Sequence, residues 1–468
     1  VGDLMDDITF QYNASAASGS GSNSNSGTYN GNGTAWMVKD INTGTSNNGG
    51  SMSAMYLEQD AVMGNEMYFF ATDSTNGYEL WKSDGTESGT VMVKDINNGS
   101  GSSMPFSNNA IGVNSNLHLK AMNNTNTLFF VANDGIHGEE LWKTDGTASG
   151  TVMVKDINSA NGNSGHSDIG EFTQMGSTLY FRADDGTNGQ ELWKTDGTSS
   201  GTVMVKDINP GNAGVVDCNC LRAITVVGNT LYFTADDGTH GEELWKSDGT
   251  TSGTVMVKNI GTGGLGAEGS GIEHISVAGN YIYFAAKPSL SVTSLFRSDG
   301  TAAGTVVIKA NDFIWTRPTI TIGNTLFFVG GSNWNATIWK SNGTSSGTTM
   351  AVDVLPQTNT LYILGDGNGV RRCDRNVGNS FYFMARDHGA GGGLDTRYLW
   401  KTDGTASGTV QVKDVNNANV TGGWSTCGII GDTLFFVKQD TRQLWKTNGT
   451  PSGTKMVIDM DSLSPSGY

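Results

Sequence analysis

Seven prolines, four cysteines and 16% charged residues in 468 are low counts, and each scarcity excludes a class of protein. Cys218, Cys220, Cys373 and Cys427 are too few for a disulfide-built scaffold, and Cys218 and Cys220 form C-x-C rather than the C-x-x-C of a zinc site. No run approaches the ~18 apolar residues of a membrane helix, and no basic segment followed by an apolar one marks a signal peptide. Twenty-eight basic residues against 45 acidic ones give a net charge of -17, which repels a nucleic-acid backbone. A Gly-x-Ser-x-Gly elbow, a His-Glu-x-x-His pair and a phosphate loop are all missing. The six histidines at 118, 137, 166, 240, 274 and 388 are scattered. These absences lead to the expectation of a protein without catalytic residues, cofactor or metal.

What the chain has instead is glycine, 66 of them, with much Asn, Ser and Thr, a mixture that disfavours helix and suits turns and strands. It also repeats itself. The segment Glu79-Leu-Trp-Lys-Ser-Asp-Gly-Thr-Glu-Ser-Gly-Thr-Val-Met-Val-Lys-Asp-Ile96 returns at Glu140 to Ile157, Glu191 to Ile208 and Glu243 to Ile260. Weaker copies centre on Phe296, Trp339, Trp400 and Trp445, with successive centres 43 to 61 residues apart. In the fourth copy, Arg222 to Val227, Leu231 to Ala235, Glu243 to Lys246 and Val255 to Ile260 read as four strands joined by tight turns. Adjacent strand residues face opposite ways, and Leu244-Trp245 and Leu231-Tyr232-Phe233 are apolar on both faces. Sheets buried on both faces stack radially. The expectation is an all-β protein, a β-propeller of about eight four-stranded antiparallel blades over 42 to 468, preceded by an extension over 1 to 41. Trp81, Trp142, Trp193, Trp245, Phe296, Trp339, Trp400 and Trp445 share one repeat position and are assigned to the core between blades.

The Asp-Gly-Thr-x-x-Gly-Thr stretch suggests a calcium loop, but Asp at this place becomes Asn342 and Asn448, an exchange that a capping side chain tolerates and a divalent ion does not. It reads as a turn. The acidic hairpins Asn133-Asp134-Gly135, Asp184-Asp185-Gly186 and Asp236-Asp237-Gly238 each precede a glutamate, Glu140, Glu191 or Glu243. They stay open to two readings, a calcium site or a polar turn.

Glu-Leu-Trp-x-x-Asp-Gly-Thr-x-x-Gly-Thr resembles the signature of the ELWxxDGT-repeat proteins, which are bacterial secreted and surface chains. Four copies match in full and four with losses, over about residues 42 to 460. The resemblance implies export and a repetitive β architecture, and it implies no particular chemistry. In an exported chain the four cysteines become candidate disulfides with three connectivities open, Cys373 with Cys427 among them. A start at Val1 fits either a chain cut for expression or one whose export signal has been removed. Asn13, Asn32, Asn98, Asn123, Asn335, Asn342, Asn419 and Asn448 are candidate glycosylation positions.

Thr34 to Ile41 copies a fourth strand with no blade of its own, and residues 13 to 33 are almost wholly small and polar. Either the segment lies along its own ring or it reaches a neighbouring subunit, giving a homo-oligomer or polymer. The leading expectation is a non-enzymatic extracellular structural or adhesive protein, a filament or layer subunit. A carbohydrate-binding propeller is the alternative, with Trp315, Trp334 and Trp424 stacking on surface glycans. A polysaccharide hydrolase or lyase is the third reading, with Arg371, Arg372 and Asp374 as the nearest polar set. In each, the site falls among the connections before first strands, at 97 to 116, 158 to 171, 209 to 221, 261 to 272 and 353 to 380.

Overall fold

The computed structural model describes residues 27–28, 34–35, 38–39, 41, 61–73, 75–105, 119–159, 162, 165–210, 221–261, 269–272, 275–289, 292–310, 314–330, 337–352, 362–363, 375–377, 380–387, 396–422, 424–430, 432–438, 441 and 443–459. The fold is all-β, a propeller of eight four-stranded antiparallel blades, with no α-helix among the described residues. Two compact units divide the chain, the main segments being Met37–Ile275 and Ser276–Tyr468.

Blade 1 of the first unit comprises Ala61–Met63, Glu66–Thr72, Tyr78–Ser83 and Val91–Lys94. Blade 2 comprises Leu119–Ala121, Leu128–Asn133, Glu139–Thr144 and Val152–Lys155. Blade 3 is Gly170–Met175, Thr178–Asp184, Gln190–Thr195 and Val203–Lys206. Blade 4 is Arg222–Val227, Thr230–Asp236, Glu242–Ser247 and Val255–Lys258. Blades 5, 6 and 8 of the second unit follow the same order, starting at Ile275–Ala278, Ile314–Ile322 and Trp424–Ile430. In blade 7 the first strand is split into Tyr362–Ile363 and Arg375–Val377, which both pair with Ser380–Asp387.

Each blade's core follows from its apolar alternation. Phe130 of blade 2 sits opposite Trp142 on the neighbouring strand, and Phe181 opposite Trp193 in blade 3. One face of blade 2, with Phe130 and Trp142, packs on Phe70 and Leu80 of blade 1. The other, with Phe129, Val131 and Leu141, packs on Leu179, Phe181 and Trp193 of blade 3. Burying both faces in this way removes from water the apolar surface that a lone meander would expose. Trp81, Trp142, Trp193, Trp245 and Phe296 are buried, whereas Trp339, Trp400 and Trp445 are half-buried.

A bulge recurs where third and fourth strands pair. Leu80 faces Lys94 and Trp81 faces Met92, so Val93 is the extra residue. The bend turns Val93 into the core and aims Lys94 at the next blade, where its Nζ donates to the Thr151 carbonyl at 2.8 Å. Lys155 and Lys206 make the equivalent bonds to Thr202 and Thr254, each 2.9 Å. Their ammonium groups lie over the rings of Trp193 and Trp245, both 5.6 Å from the centroid.

The turn after each third strand is closed by its own side chains. Asp145 Oδ1 accepts from both the backbone N–H and the hydroxyl of Thr147, and Gly146 N–H donates to Thr144 Oγ1. Thr144 and Thr151 hydroxyls meet at 2.7 Å, and Thr151 donates onward to the Thr147 carbonyl. Gly146 has φ +90° and lies under the hydroxyl of Tyr68 from blade 1, so that both backbone and space require glycine. Asn342 and Asn448 accept the same two bonds from Thr344 and Thr450.

Val38 and Ile41 are buried, Ile41 packs on Phe69, Ala71 and Trp81 of blade 1, and Lys39 Nζ donates to the Thr90 carbonyl at 2.8 Å. These residues treat blade 1 as Val93, Lys94 and Ile96 treat blade 2. Gly27–Thr28 pairs with Thr34–Ala35, and the rest of the small polar stretch from 13 to 33 is outside the described residues.

Candidate functional site

One edge of every blade carries the closed turns just described; the other carries the hairpin between second and third strands together with the connection to the next blade. In blade 2 that hairpin is organised by Asp134. Its Oδ1 accepts from Ile136 and His137 N–H, both at 2.9 Å, and its Oδ2 lies 2.7 Å from His137 Nδ1. These donors hold the Asp134 carboxyl below the ordinary range against the opposing pull of burial, and Asp134 in turn raises His137. Asp73, Asp185 and Asp237 cap the same turn in blades 1, 3 and 4 with Asn76, Asn188 and His240. The carboxylates that left a calcium reading open are thus engaged by backbone donors. Among the described residues no group of three or more His, Cys, Asp or Glu is placed to hold a metal.

Glu79, Glu140, Glu191 and Glu243 are fully or almost fully buried. Each anchors the connection that leaves its own blade. Glu79 accepts from Ile96, Asn97 and Ser103 N–H, and Glu140 from Ile157 and Asn158 N–H and the Ser167 hydroxyl. Glu243 accepts from Ile260 and Gly261 N–H. Burial pushes Glu79, Glu140 and Glu191 up to about 7, against the lowering effect of these bonds. Burial also raises Glu243.

Once anchored, the connection ties blades together. Ser103 N–H donates to the Tyr78 carbonyl of blade 1 at 2.9 Å, and the Ser103 carbonyl accepts from Asn133 N–H of blade 2 at 2.9 Å. Ser167 repeats this between Glu139 and Asp184. The anchoring serines were missed in the sequence because they lie in connections of unequal length. The glutamates were visible as the first letter of the repeat, but alternation alone does not say that a charged residue faces the core.

Other expected site residues distribute unevenly. Arg371, Arg372, Asp374, Trp334, Cys218, Cys220, Cys373, Asn13, Asn32 and Asn335 lie outside the described residues, as do His118, His274 and His388. Trp315, Trp424 and Cys427 are placed on first strands by their backbones. Asn98, Asn123, Asn342, Asn419 and Asn448 are exposed, though Asn342 and Asn448 already cap turns.

No family model matches the chain, and no curated protein matches it. Among solved structures it is similar to a puromycin hydrolase, at 12% identity and a TM-score of 0.37, over 85% of this chain and 58% of that one. It is also similar to a GH74 enzyme of Niastella koreensis, at 11% and 0.35, over 86% of this chain and 65% of that one. A puromycin-hydrolyzing peptidase of Mycobacterium tuberculosis matches at 9% and 0.37, over 74% of this chain and 54% of that one. The chain therefore spans a little over half the length of the puromycin hydrolase and of the peptidase. These neighbours are propeller enzymes, and the expectation of a non-enzymatic structural or adhesive protein is withdrawn. The physical reason is that a propeller specifies no role by itself, since function resides in groups grafted on its connections, which carry no repeat signature. At this similarity the likeness is one of architecture and brings no activity to this chain.

Proposed function

We propose that the chain is a ligand-recognition propeller whose binding groups sit on the edge formed by the second-to-third-strand hairpins and the between-blade connections, and that its ligand is cationic. The supporting observation is the contrast between the two edges of a blade. The Asp-Gly-Thr-x-x-Gly-Thr edge keeps one turn in every copy, with Asn342 and Asn448 making the same bonds where they replace the aspartate. The connection edge differs from copy to copy, with Asn97-Asn98-Gly99, Asn158-Ser159-Ala160, Asn209-Pro210-Gly211 and Gly261-Thr262-Gly263 following the same strand. In repeat proteins such variation gathers on the binding face. In the first unit this edge carries Asp73, Asp95, Asp134, Asp156, Asp185, Asp207 and Asp237, and the chain's charge of -17 raises the local concentration of cations. Recognition is work that a binding protein and an enzyme both need. Location outside the cell, as the repeat resemblance implies, belongs to the same proposal.

Binding of a fluorescent oligolysine to the full chain, by anisotropy at low and high salt, tests it. Salt-sensitive binding that falls at least tenfold in D134N/D185N/D237N and stays within twofold in D145N/D196N/D248N is the expected result. Equal loss in both sets would overturn the assignment of the edge.

A further inference from the structure

We propose that Glu79 with Asp95, Glu140 with Asp156, and Glu191 with Asp207 are proton-sharing carboxyl pairs, in which the glutamic acid donates its proton to the aspartate and so latches the connections of the first unit in a pH-sensitive way. The ladder places the partners. Leu80 pairs with Lys94, Leu141 with Lys155 and Leu192 with Lys206, so the next positions outward are these three Glu and Asp residues. Directly opposite residues project to one face, where two like charges repel.

Three observations favour a proton between them. First, Asp95, Asp156 and Asp207 each keep a buried Oδ1 with no hydrogen-bond partner among the described residues, an acceptor left without a donor at the same repeat position three times. A burial cost of this kind is met when a donor faces it. Second, blade 8 has a neutral donor at the glutamate position. Gln443 pairs with Asp459 in the ladder, and its Nε2 donates to Asp459 Oδ2 at 3.0 Å. Third, one glutamate oxygen has room for the proton. Oε1 of Glu79 takes two N–H bonds and Oε2 one. In Glu140, Oε1 takes the Asn158 N–H and the Ser167 hydroxyl, and Oε2 the Ile157 N–H alone.

The charged groups facing each glutamate are Asp95 for Glu79, Asp156 and His137 for Glu140, and Asp207 and Asp185 for Glu191. All the aspartates oppose ionisation of the glutamate. Blade 4 is an internal control, because Asn259 stands where the aspartate would be and His240 instead favours the charged form of Glu243. In the second unit Ser294, Thr337, Tyr398 and Gln443 occupy the glutamate position, so the latch belongs to the first unit.

The sign follows from linkage. A glutamate raised from 4.5 to about 7 in the folded chain holds a proton that the unfolded chain has lost between those values. The stabilisation is complete below 4.5 and is lost as pH rises through about 7. Above that, a buried glutamate and a half-buried aspartate face each other as carboxylates, and the connection they hold is released.

Difference infrared spectroscopy of the full chain, labelled with 13C at glutamate carboxyls and titrated from pH 5 to 9, tests this directly. A protonated glutamate band that disappears with a midpoint near 7, and shrinks by about a third in each of E79Q, E140Q and E191Q, is expected for three equivalent pairs. D95N is expected to move one third of the titration to lower pH, as pairing requires, whereas a glutamate protonated by burial alone keeps its midpoint. Absence of the band from the unmodified chain at pH 6 overturns the proposal whether or not the variants fold, and so does an unmoved midpoint in D95N.

Discussion

Lys94 of blade 1 donates its ammonium group to the Thr151 carbonyl of blade 2 at 2.8 Å while lying 5.9 Å from the centroid of the Trp142 ring. The bond ends on the residue whose hydroxyl closes the blade 2 turn, so one contact joins the outer strand of a blade to the most regular part of its neighbour. Lys94→Met keeps the aliphatic stem and removes the charge. A charge-assisted bond and a cation–π contact together support an expected loss of roughly 2 kcal/mol, read as a lower urea midpoint for the first unit.

Gly146→Ala places a methyl group at φ +90° against the Tyr68 hydroxyl, and Gly176→Ala places one at φ +62° in open space. The second substitution isolates the backbone cost, about 1–2 kcal/mol. The first is expected to exceed it, and combining it with Tyr68→Phe is expected to recover part of the difference. Thermal melting of the three variants decides.

The carboxyls of Asp84, Asp145, Asp196, Asp248, Asp299 and Asp403 are held below the ordinary range, first by the hydroxyl and then by the N–H of the threonine two residues on. A depressed folded value stabilises above the unfolded one, 3.8, and that stabilisation is lost as pH falls through the folded value. Thr147→Val is therefore expected to raise the titration midpoint of Asp145, observable by carboxyl NMR, and to bring the acid unfolding of the chain to a higher pH.

Ile41→Ala removes a buried side chain from Phe69, Ala71 and Trp81. The expected cost is roughly 2–4 kcal/mol for a buried large-to-small change, with a red shift of tryptophan emission as Trp81 meets water. An unchanged midpoint would show that residues 38 to 41 do not brace blade 1 in solution.

The strands were legible because eight copies repeat one alternation. Trp142 opposite Phe130 and the Thr144 to Thr151 turn follow from residue order, and both contacts are local. Three outcomes were not legible. Glu140 reads as a hairpin carboxylate until the connection folds back and supplies Asn158 N–H and Ser167, residues that no fixed spacing announces. Trp339, Trp400 and Trp445 share the letter of Trp142 but not its burial, because cover depends on what the neighbouring blade supplies. The role of the chain was least legible, since Asn97, Asn158, Asn209 and Gly261 start connections that have no common pattern.

In the turn from Ser83 to Thr90 the hydroxyls of Ser83, Thr86 and Thr90 and the carboxylate of Asp84 bond to one another and to the turn's own backbone. Closing so short a loop loses little chain entropy, and contacts of low sequence separation form early. Each blade thus carries its own nucleus, able to form before any neighbour has arrived. Assembly then becomes the docking of preformed hairpins, and the slow step shifts to the contacts that join one blade to the next, Lys94 to Thr151 and Ser103 to Asn133 among them.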